Sequence, residues 1–290
     1  MNSTLLDLSE KVDTAVVDAV AAVSRAANQV GVPCLIVGAA ARDFLLEYAC
    51  GIRTGRATED VDFGVRVNSW SEYEKLVREL EQSAAFTRDK KKRHRFHAPN
   101  SLLIDLVPFG PIAGTGRQII WPPDEDRGMS VEGFESAMAS AVEVLFRVDP
   151  PLVVRTASLP GLAVLKIISW DDGYPRRGRD AYDFYIIMNS YMETANLDRL
   201  ATDARDLATE PIPPLQEIGA RLLGRDMANI SDQSTARLVV AILHREQAEE
   251  GVLRLVTDMM VAAGASASVD EVLRLLQAVA RGFSERTERA

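Results

Sequence analysis

Residues 35–67, which begin LIVGAAARDFLL and close DVDFGVRV, decide the fold of this chain. An apolar run stops at Gly38, and small residues then open a helix whose first N–H groups have no partner within the helix and can hold a phosphate. The closing run is an apolar strand, and because side chains alternate along a strand, Asp60 and Asp62 lie on one face. A phosphate cradle that faces two carboxylates is what metal-assisted phosphoryl or nucleotidyl transfer requires.

Hydrophobic periodicity predicts the elements around this segment. Helices are expected from Ser9 or Asp13 to Gly31, over residues 40–50, and from a capping box that begins at Ser69. Short apolar runs predict strands over residues 32–37, 61–67, 93–97 and 101–107, the last two joined by a turn at Pro99-Asn100. This order predicts an α/β (α+β) fold, a mixed sheet backed by helices.

The second half of the chain differs from the first in composition and in hydrophobic periodicity. Residues 109–129 are rich in Gly, Pro and charge and are expected to form a surface excursion anchored by Trp121. After Pro150-Pro151, and above all from residue 159 onward, nearly every segment has helical periodicity. We therefore expect a catalytic domain over residues 1–150 and an all-helical domain over residues 151–290 that completes the cleft.

Composition excludes several classes of protein. The 290 residues are 47% hydrophobic and 26% charged, as in ordinary globular proteins. The net charge of −9 argues against nonspecific binding of nucleic acid over the whole surface, but it permits a local basic patch. The first residues do not resemble a signal peptide, and the most apolar helix is too short to span a bilayer. A cytoplasmic protein without a membrane partner is expected, with Cys34 and Cys50 as buried free thiols.

A third carboxylate strengthens the interpretation of the Asp-x-Asp pair. An Asp-x-Asp on a strand is commonly a solvated surface feature, but Asp60 and Asp62 lie in an apolar strand, and Asp105 interrupts a second one, LLIDLV. Charges in such strands are costly unless they are paired or bind a metal ion. One shared metal site would explain all three.

These motifs resemble the polymerase-β-like nucleotidyltransferases, in which an apolar strand ending in Gly-Gly or Gly-Ser precedes a strand with Asp-x-Asp and a third Asp on a neighbouring strand. Within that superfamily the sequence is most similar to the AbiEii/AbiGii-type nucleotidyltransferase toxins, over about residues 32–188. The similar segments are the run from Arg56 to Phe63, the run from Asp105 to Gly110, Leu165-Lys166, and the run from Arg179 to Phe184.

The resemblance implies roles for the residues of the first segment. Asp60 and Asp62 would bind two Mg²⁺ ions that bridge an NTP and the acceptor hydroxyl, and Asp105 would bind the second ion and help to deprotonate that hydroxyl. Gly38, with the N–H groups of Ala39 and Ala40, would cradle the β and γ phosphates. Ala39 departs from the usual Gly or Ser of the motif and removes a hydroxyl.

Two further groups of residues each have two interpretations. Lys166, in an apolar helix, is either a snorkelling side chain or, as the resemblance implies, a catalytic contact to the triphosphate. Asp180 and Asp183 lie on one side of the next helix and one of them could orient Lys166, with Asp183 the better match to the last acidic motif of the family. Arg176 either binds the nucleotide or lies in a solvated loop.

The most basic segment of the chain also has two interpretations. It is either a solvated hairpin tip or an RNA contact, and it comprises Lys90, Lys91, Lys92, Arg93, His94 and Arg95. His94 and His97 point to opposite faces of a strand, which argues against a shared metal. Arg42 is interpreted either as an ion pair with Asp43 or as a nucleotide contact.

The resemblance implies a magnesium-dependent nucleotidyltransferase that moves a nucleoside monophosphate from an NTP, such as ATP, to the 3′ end of tRNA. It would be the toxin of a type IV-like toxin–antitoxin pair, with a cognate antitoxin protein as its partner. Two alternatives stay open. One is an enzyme that modifies a small molecule, as aminoglycoside nucleotidyltransferases do, and the other is a catalytically silent nucleotide-binding scaffold.

Overall fold

The structure, a computed structural model, describes residues 5–55, 58–84, 86–99, 101–122, 128–208, 211–247, 253–263 and 267–287. Arg56 of the family-like run and Asn100 of the expected turn lie outside these residues. The chain divides into two compact units, Met1–Ser158 and Leu159–Ala290. Pro150, near which the sequence places a boundary, lies in the first unit. The prediction that both cysteines are buried is wrong, because Cys34 is half-buried and Cys50 is exposed.

The first unit is built on a mixed sheet. Its strands, within the described residues, are β1 (Leu6–Asp7), β2 (Cys34–Val37), β3 (Asp60–Arg66), β4 (Thr87–Arg88), β5 (Arg95–His97), β6 (Leu103–Phe109), β9 (Val142–Arg147) and β10 (Leu152–Thr156). Between β6 and β9 in the sequence, β7 (Gln118–Ile120) and β8 (Gly128–Ser130) form a separate two-stranded sheet. The strand order is β1-β9-β10-β2-β3-β6-β5-β4, with β3 parallel to β6 and antiparallel to β2.

This unit also contains α-helices, the first of which is capped at both ends. They are α1 (Thr14–Val30), α2 (Gly38–Asp43), which continues as a π-helical segment (Phe44–Tyr48), α3 (Trp70–Ala84) and α4 (Phe134–Ala139). The Asp13 side chain accepts a hydrogen bond from the N–H of Ala15 at 2.7 Å, and Gly31 ends α1 with φ +70°. The predicted limits of this first helix, Asp13 and Gly31, are confirmed.

Alternation along β3 separates its apolar and acidic faces. Val61, Phe63 and Val65 are at most 2% exposed and face the core, whereas Asp60 and Asp62 lie on the other face and are half-buried. The two carboxylates therefore lie beside β6. They also lie beside the start of α2, because α2 directly follows β2, whose last residue pairs with Asp62.

Sequence periodicity missed the strands between residues 130 and 158. β9 and β10 pair antiparallel, and β10 also pairs with β2, so these strands complete the sheet of the first unit. In the predicted excursion, residues 123–127 lie outside the described residues. The Trp121 ring packs 5.2 Å from that of Trp70 and 5.6 Å from that of Tyr73, measured between ring centroids.

The second unit is helical throughout its described residues. Its α-helices are α5 (Leu159–Gly173), α6 (Gly178–Ser190), α7 (Leu215–Ile230), α8 (Gln233–Arg245), α9 (Arg254–Ala263) and α10 (Val269–Thr287). Gly224 and Gly282 let α7 and α10 touch, because a Cβ on Gly224 would lie 2.0 Å from the carbonyl oxygen of Val279. The predicted fold class, a mixed sheet with helices followed by an all-helical part, is confirmed. None of the described helices combines the length and apolar character that a membrane-spanning helix needs.

Candidate active site

Strand register brings three carboxylates together. Asp62 lies directly beside Asp105 in the parallel β3–β6 pair, and Asp60 lies on the same face of β3, two residues earlier. One oxygen from each of the three carboxylates lies within 4.8 Å of the others. This geometry requires both the β3–β6 pairing and its register, because a shift by one residue would turn Asp105 to the opposite face.

Gly38 brings the start of α2 against this cluster. Its φ of +73° favours glycine, and a Cβ at this position would lie 1.9 Å from Oδ2 of Asp62. The backbone therefore approaches the carboxylate as closely as it does only because residue 38 has no side chain. Ala39 and Ala40, the other predicted phosphate contacts, follow in the first turn of α2, and both side chains are buried.

Arg95 lies inside the acidic cluster rather than on the surface of the hairpin. Its Nε donates to Oδ1 of Asp105 at 2.7 Å, and its Nη2 donates to Oδ2 of Asp105 at 2.7 Å and to Oδ2 of Asp60 at 3.0 Å. The hydrogen bonds that Arg95 donates to Asp105 outweigh the cost of desolvation and raise the pKa of the guanidinium above its ordinary value. The sequence grouped Arg95 with the basic run, because only the β5–β6 register shows that it pairs with Asp105.

The remaining basic residues form the loop between β4 and β5. Lys90, Lys91 and Lys92 are exposed, and Arg93 is half-buried. The Asp89 carboxylate orders the loop by accepting hydrogen bonds from the N–H groups of Lys91 and Lys92 at 2.7 and 2.9 Å. Hydrogen bonds from His97 and from these N–H groups lower the pKa of Asp89.

The two histidines contact different carboxylates. Nε2 of His94 lies 3.8 Å from Oδ2 of Asp105, whereas Nε2 of His97 lies 3.0 Å from Oδ2 of Asp89. His94 also packs against Trp121, with 5.7 Å between ring centroids. His94 therefore lies close both to the Asp105 carboxylate and to the Trp121 ring.

Lys166 is the centre of a second charged cluster, in the second unit. Its Nζ lies 2.8 Å from Oδ1 of Asp180 and 2.6 Å from Oδ2 of Asp183, and Asp180 also accepts a hydrogen bond from Ser169 at 3.0 Å. Desolvation opposes the charge on Lys166, but the two aspartates outweigh it and raise the pKa of its ammonium group. Its side chain is 11% exposed, so snorkelling to solvent does not describe it.

The other predicted nucleotide contacts lie in different surroundings. Arg42 is fully buried and donates from Nε and Nη2 to Oδ1 of Asp43, at 2.9 and 2.6 Å. Thr58 donates a hydrogen bond to the other oxygen of the same carboxylate. The Arg42–Asp43 ion pair that the sequence suggested is therefore present, with Thr58 as an additional partner of Asp43. Arg176 is exposed in the loop between α5 and α6.

The acidic cluster fits a divalent cation. Three carboxylates whose oxygens lie within 4.8 Å of one another are the hard, anionic ligands that Mg²⁺ and related ions require. Gly38 adds no side chain to this cluster, because a Cβ at residue 38 would collide with the Asp62 carboxylate.

A comparison with models of known protein families identifies the family of this chain. Residues 45–233 match the family model described as the nucleotidyl transferase AbiEii toxin of type IV toxin–antitoxin systems. The chain belongs to the AbiEii nucleotidyltransferase toxin family. The family-matched region includes Asp60, Asp62 and Asp105 on the sheet and Lys166 with its two aspartates. This AbiEii protein is therefore a nucleotidyltransferase, as the sequence motifs predicted.

Solved structures give weaker likenesses. The antibiotic-resistance factor ANT(2″)-Ia is 18% identical, with a TM-score of 0.38, over 67% of this chain and 95% of its own. JHP933 from Helicobacter pylori is 12% identical, with a TM-score of 0.37, over 96% and 95%. A Thermotoga maritima CCA-adding enzyme complexed with tRNA is 12% identical, with a TM-score of 0.27, over 97% and 84%. The comparison with curated proteins found no match.

Proposed function

We propose that this AbiEii protein transfers a nucleoside monophosphate from an NTP to the 3′-terminal hydroxyl of tRNA. The observation that carries the proposal is the set of three carboxylates on adjoining strands, whose oxygens lie within 4.8 Å of one another beside a glycine-opened helix. In this proposal Asp60, Asp62 and Asp105 hold two Mg²⁺ ions. When bound, such ions activate the attacking hydroxyl and neutralise charge on the phosphates.

The residues of the chain have separate roles in this reaction. The N–H groups of Gly38, Ala39 and Ala40 hold the β and γ phosphates, so that the α phosphate faces the acidic cluster. Asp105 accepts the proton of the acceptor hydroxyl as the new oxygen–phosphorus bond forms and the bond to the leaving pyrophosphate breaks. Lys166 and Arg176 stay proposed contacts to the triphosphate, with Asp183 as the residue that orients Lys166.

The basic loop favours RNA as the acceptor. Lys90, Lys91 and Lys92 are exposed and precede Arg95, whose guanidinium lies in the acidic cluster, by only a few residues. A polyanion bound by these lysines would lie close to the carboxylates, and phosphate contacts of this kind depend strongly on salt. Because NTPs and tRNA are both cytoplasmic, we place the reaction in the cytoplasm, where a cognate antitoxin would oppose it.

The test is transfer of label from each α-labelled NTP to total tRNA in the presence of Mg²⁺. The wild type is compared with Asp62→Asn and with Asp18→Asn, a matched control on the exposed face of α1. We expect label in tRNA with the wild type and Asp18→Asn, and none with Asp62→Asn. Label in an aminoglycoside instead of tRNA would overturn the tRNA acceptor, and NTP binding without any transfer would favour a silent scaffold.

A further inference from the structure

We propose that Arg95 is the built-in counter-ion of the acidic cluster, which leaves Asp105 when a divalent cation binds and then holds a phosphate of the substrate. Arg95 would thus be a positioning residue for the metal site. The inference rests on the proposed function, because it takes Asp60, Asp62 and Asp105 to be the metal ligands.

The contacts of Arg95 are those of an ion that holds the cluster together. Two parallel hydrogen bonds of 2.7 Å join its Nε and Nη2 to the two oxygens of Asp105, and a third bond of 3.0 Å reaches Asp60. Such forked, charge-assisted bonds are among the strongest that arginine makes. They explain how carboxylates from two strands stay close together although their charges repel each other.

A metal ion at this place would displace these bonds. Both oxygens of Asp105 and one oxygen of Asp60 already accept hydrogen bonds from the guanidinium, and the three carboxylate oxygens of the candidate site lie within 4.8 Å of one another. A divalent cation bound among them would therefore lie next to a permanent positive charge, and the two cations would repel each other. Binding of the metal and retention of Arg95 are thus competitive.

Arg95 cannot resolve the conflict by losing its proton. A guanidinium stays charged at any physiological pH. Its side chain is 17% exposed, at the end of the exposed basic loop, so the long side chain can swing away from Asp105. A displaced guanidinium needs another anion, and its planar fork matches a phosphate.

The test measures the affinity for Mg²⁺ by isothermal titration calorimetry, with no nucleotide present. The variants are Arg95→Gln, which removes the charge, and Arg95→Lys, which keeps the charge without the fork. Arg88→Gln is the matched control, because Arg88 lies on the neighbouring β4 and pairs with Glu74. We expect Arg95→Gln to lower the dissociation constant about tenfold, Arg95→Lys to lower it less, and Arg88→Gln to leave it unchanged.

Melting temperatures and transfer kinetics provide two further measurements, which distinguish a change in metal affinity from a general loss of stability. Without metal, the melting temperature of Arg95→Gln and of Arg95→Lys is expected to lie below that of the wild type, and saturating Mg²⁺ is expected to remove the difference. In transfer assays Arg95→Gln should raise the KM for NTP or tRNA more than it lowers kcat, with partial rescue in Arg95→Lys.

Failure of this inference differs from failure of the proposed function. If the wild type binds Mg²⁺, Asp62→Asn does not, and both Arg95 variants bind with unchanged or weaker affinity, the counter-ion role is wrong while the metal site stands. If Mg²⁺ binds the wild type and Asp62→Asn equally, the acidic cluster is not the metal site, and both proposals are overturned.

Discussion

The two clusters of charge differ in how firmly they hold their cations. In the first unit, Arg95 offsets one of three negative charges, and the Asp60 side chain that it contacts is 33% exposed. In the second unit, Lys166 is closed in by Asp180 and Asp183, whose side chains are 9% and 1% exposed. Asp105 is as buried as Asp180, with 9% of its side chain exposed, so the opening of the first cluster lies at Asp60. A cation that reaches such a partly open carboxylate can be exchanged for another, whereas a cation buried with both partners is held as part of the structure.

The largest expected difference comes from making the same substitution in each cluster. Asp62→Asn should lower the transfer rate at least about a thousandfold, because one of the proposed metal ligands is lost, while the melting temperature stays the same or rises. Asp183→Asn should lower the free energy of unfolding, because Lys166 then loses a buried partner. Rate assays paired with thermal unfolding test this, and a stability loss in Asp62→Asn without a rate loss would reverse the comparison.

Removal of the buried cation should destabilise the second unit strongly. Lys166→Met leaves two buried carboxylates without their ammonium partner, and we expect a loss of about 3–5 kcal/mol in the free energy of unfolding, measured by urea denaturation. The triple variant Lys166→Met/Asp180→Asn/Asp183→Asn should recover most of this loss.

The same triple variant separates structure from catalysis. If Lys166 contacts the triphosphate, as the family resemblance implies, the folded triple variant stays impaired in transfer although its stability is restored. Wild-type transfer by that variant would assign the Lys166 cluster to folding alone.

The close approach of Gly38 to Asp62 gives a smaller effect on the first cluster. In Gly38→Ala the new Cβ would collide with the Asp62 carboxylate, so we expect about a hundredfold loss of transfer, as for other displacements near 1 Å. Gly31→Ala is the matched control, because Gly31 has a similar φ of +70° but no atom within 4 Å of the added Cβ. Equal losses of transfer in the two variants would attribute the effect to backbone strain.

The smallest predicted effect is a decrease in the free energy of unfolding at acidic pH, caused by protonation in the second cluster. Burial raises the pKa of Asp180, but Lys166 outweighs this and the net pKa lies below the ordinary value. A carboxyl with a lowered pKa stabilises the fold fully above its unfolded-state pKa, and this contribution is lost as the pH falls through the folded-state value. The free energy of unfolding should therefore fall below about pH 4 in the wild type and less in Lys166→Met. Parallel pH profiles would contradict the pairing.

The sequence predicted the acidic cluster because each of its members breaks an apolar strand. Alternation placed Asp60 and Asp62 on one face, a third charge in a second apolar strand added Asp105 to the same site, and the end of an apolar run marked Gly38. The position of Arg95 could not be found in this way, because it depends on the register between β5 and β6, which sequence spacing does not fix.

The strands after residue 130 were missed for a related reason. β10 reads LVVRT and pairs with β2, more than a hundred residues earlier in the chain, so nothing local marks it as part of the sheet. For Lys166 the sequence left open whether an aspartate orients it, and the structure shows contacts to both Asp180 and Asp183. The burial of the Lys166 ammonium group depends on tertiary packing, which the apolar character of its helix does not determine.

The most direct test of the central claim is to locate a metal in a crystal of the protein. Crystals grown with Mn²⁺ and a non-hydrolysable NTP analogue would give an anomalous signal wherever the ion binds. The account predicts a peak among Asp60, Asp62 and Asp105, with the Arg95 guanidinium moved away from Asp105. A peak beside Asp180 and Asp183, or none at the three carboxylates of the sheet, would contradict it.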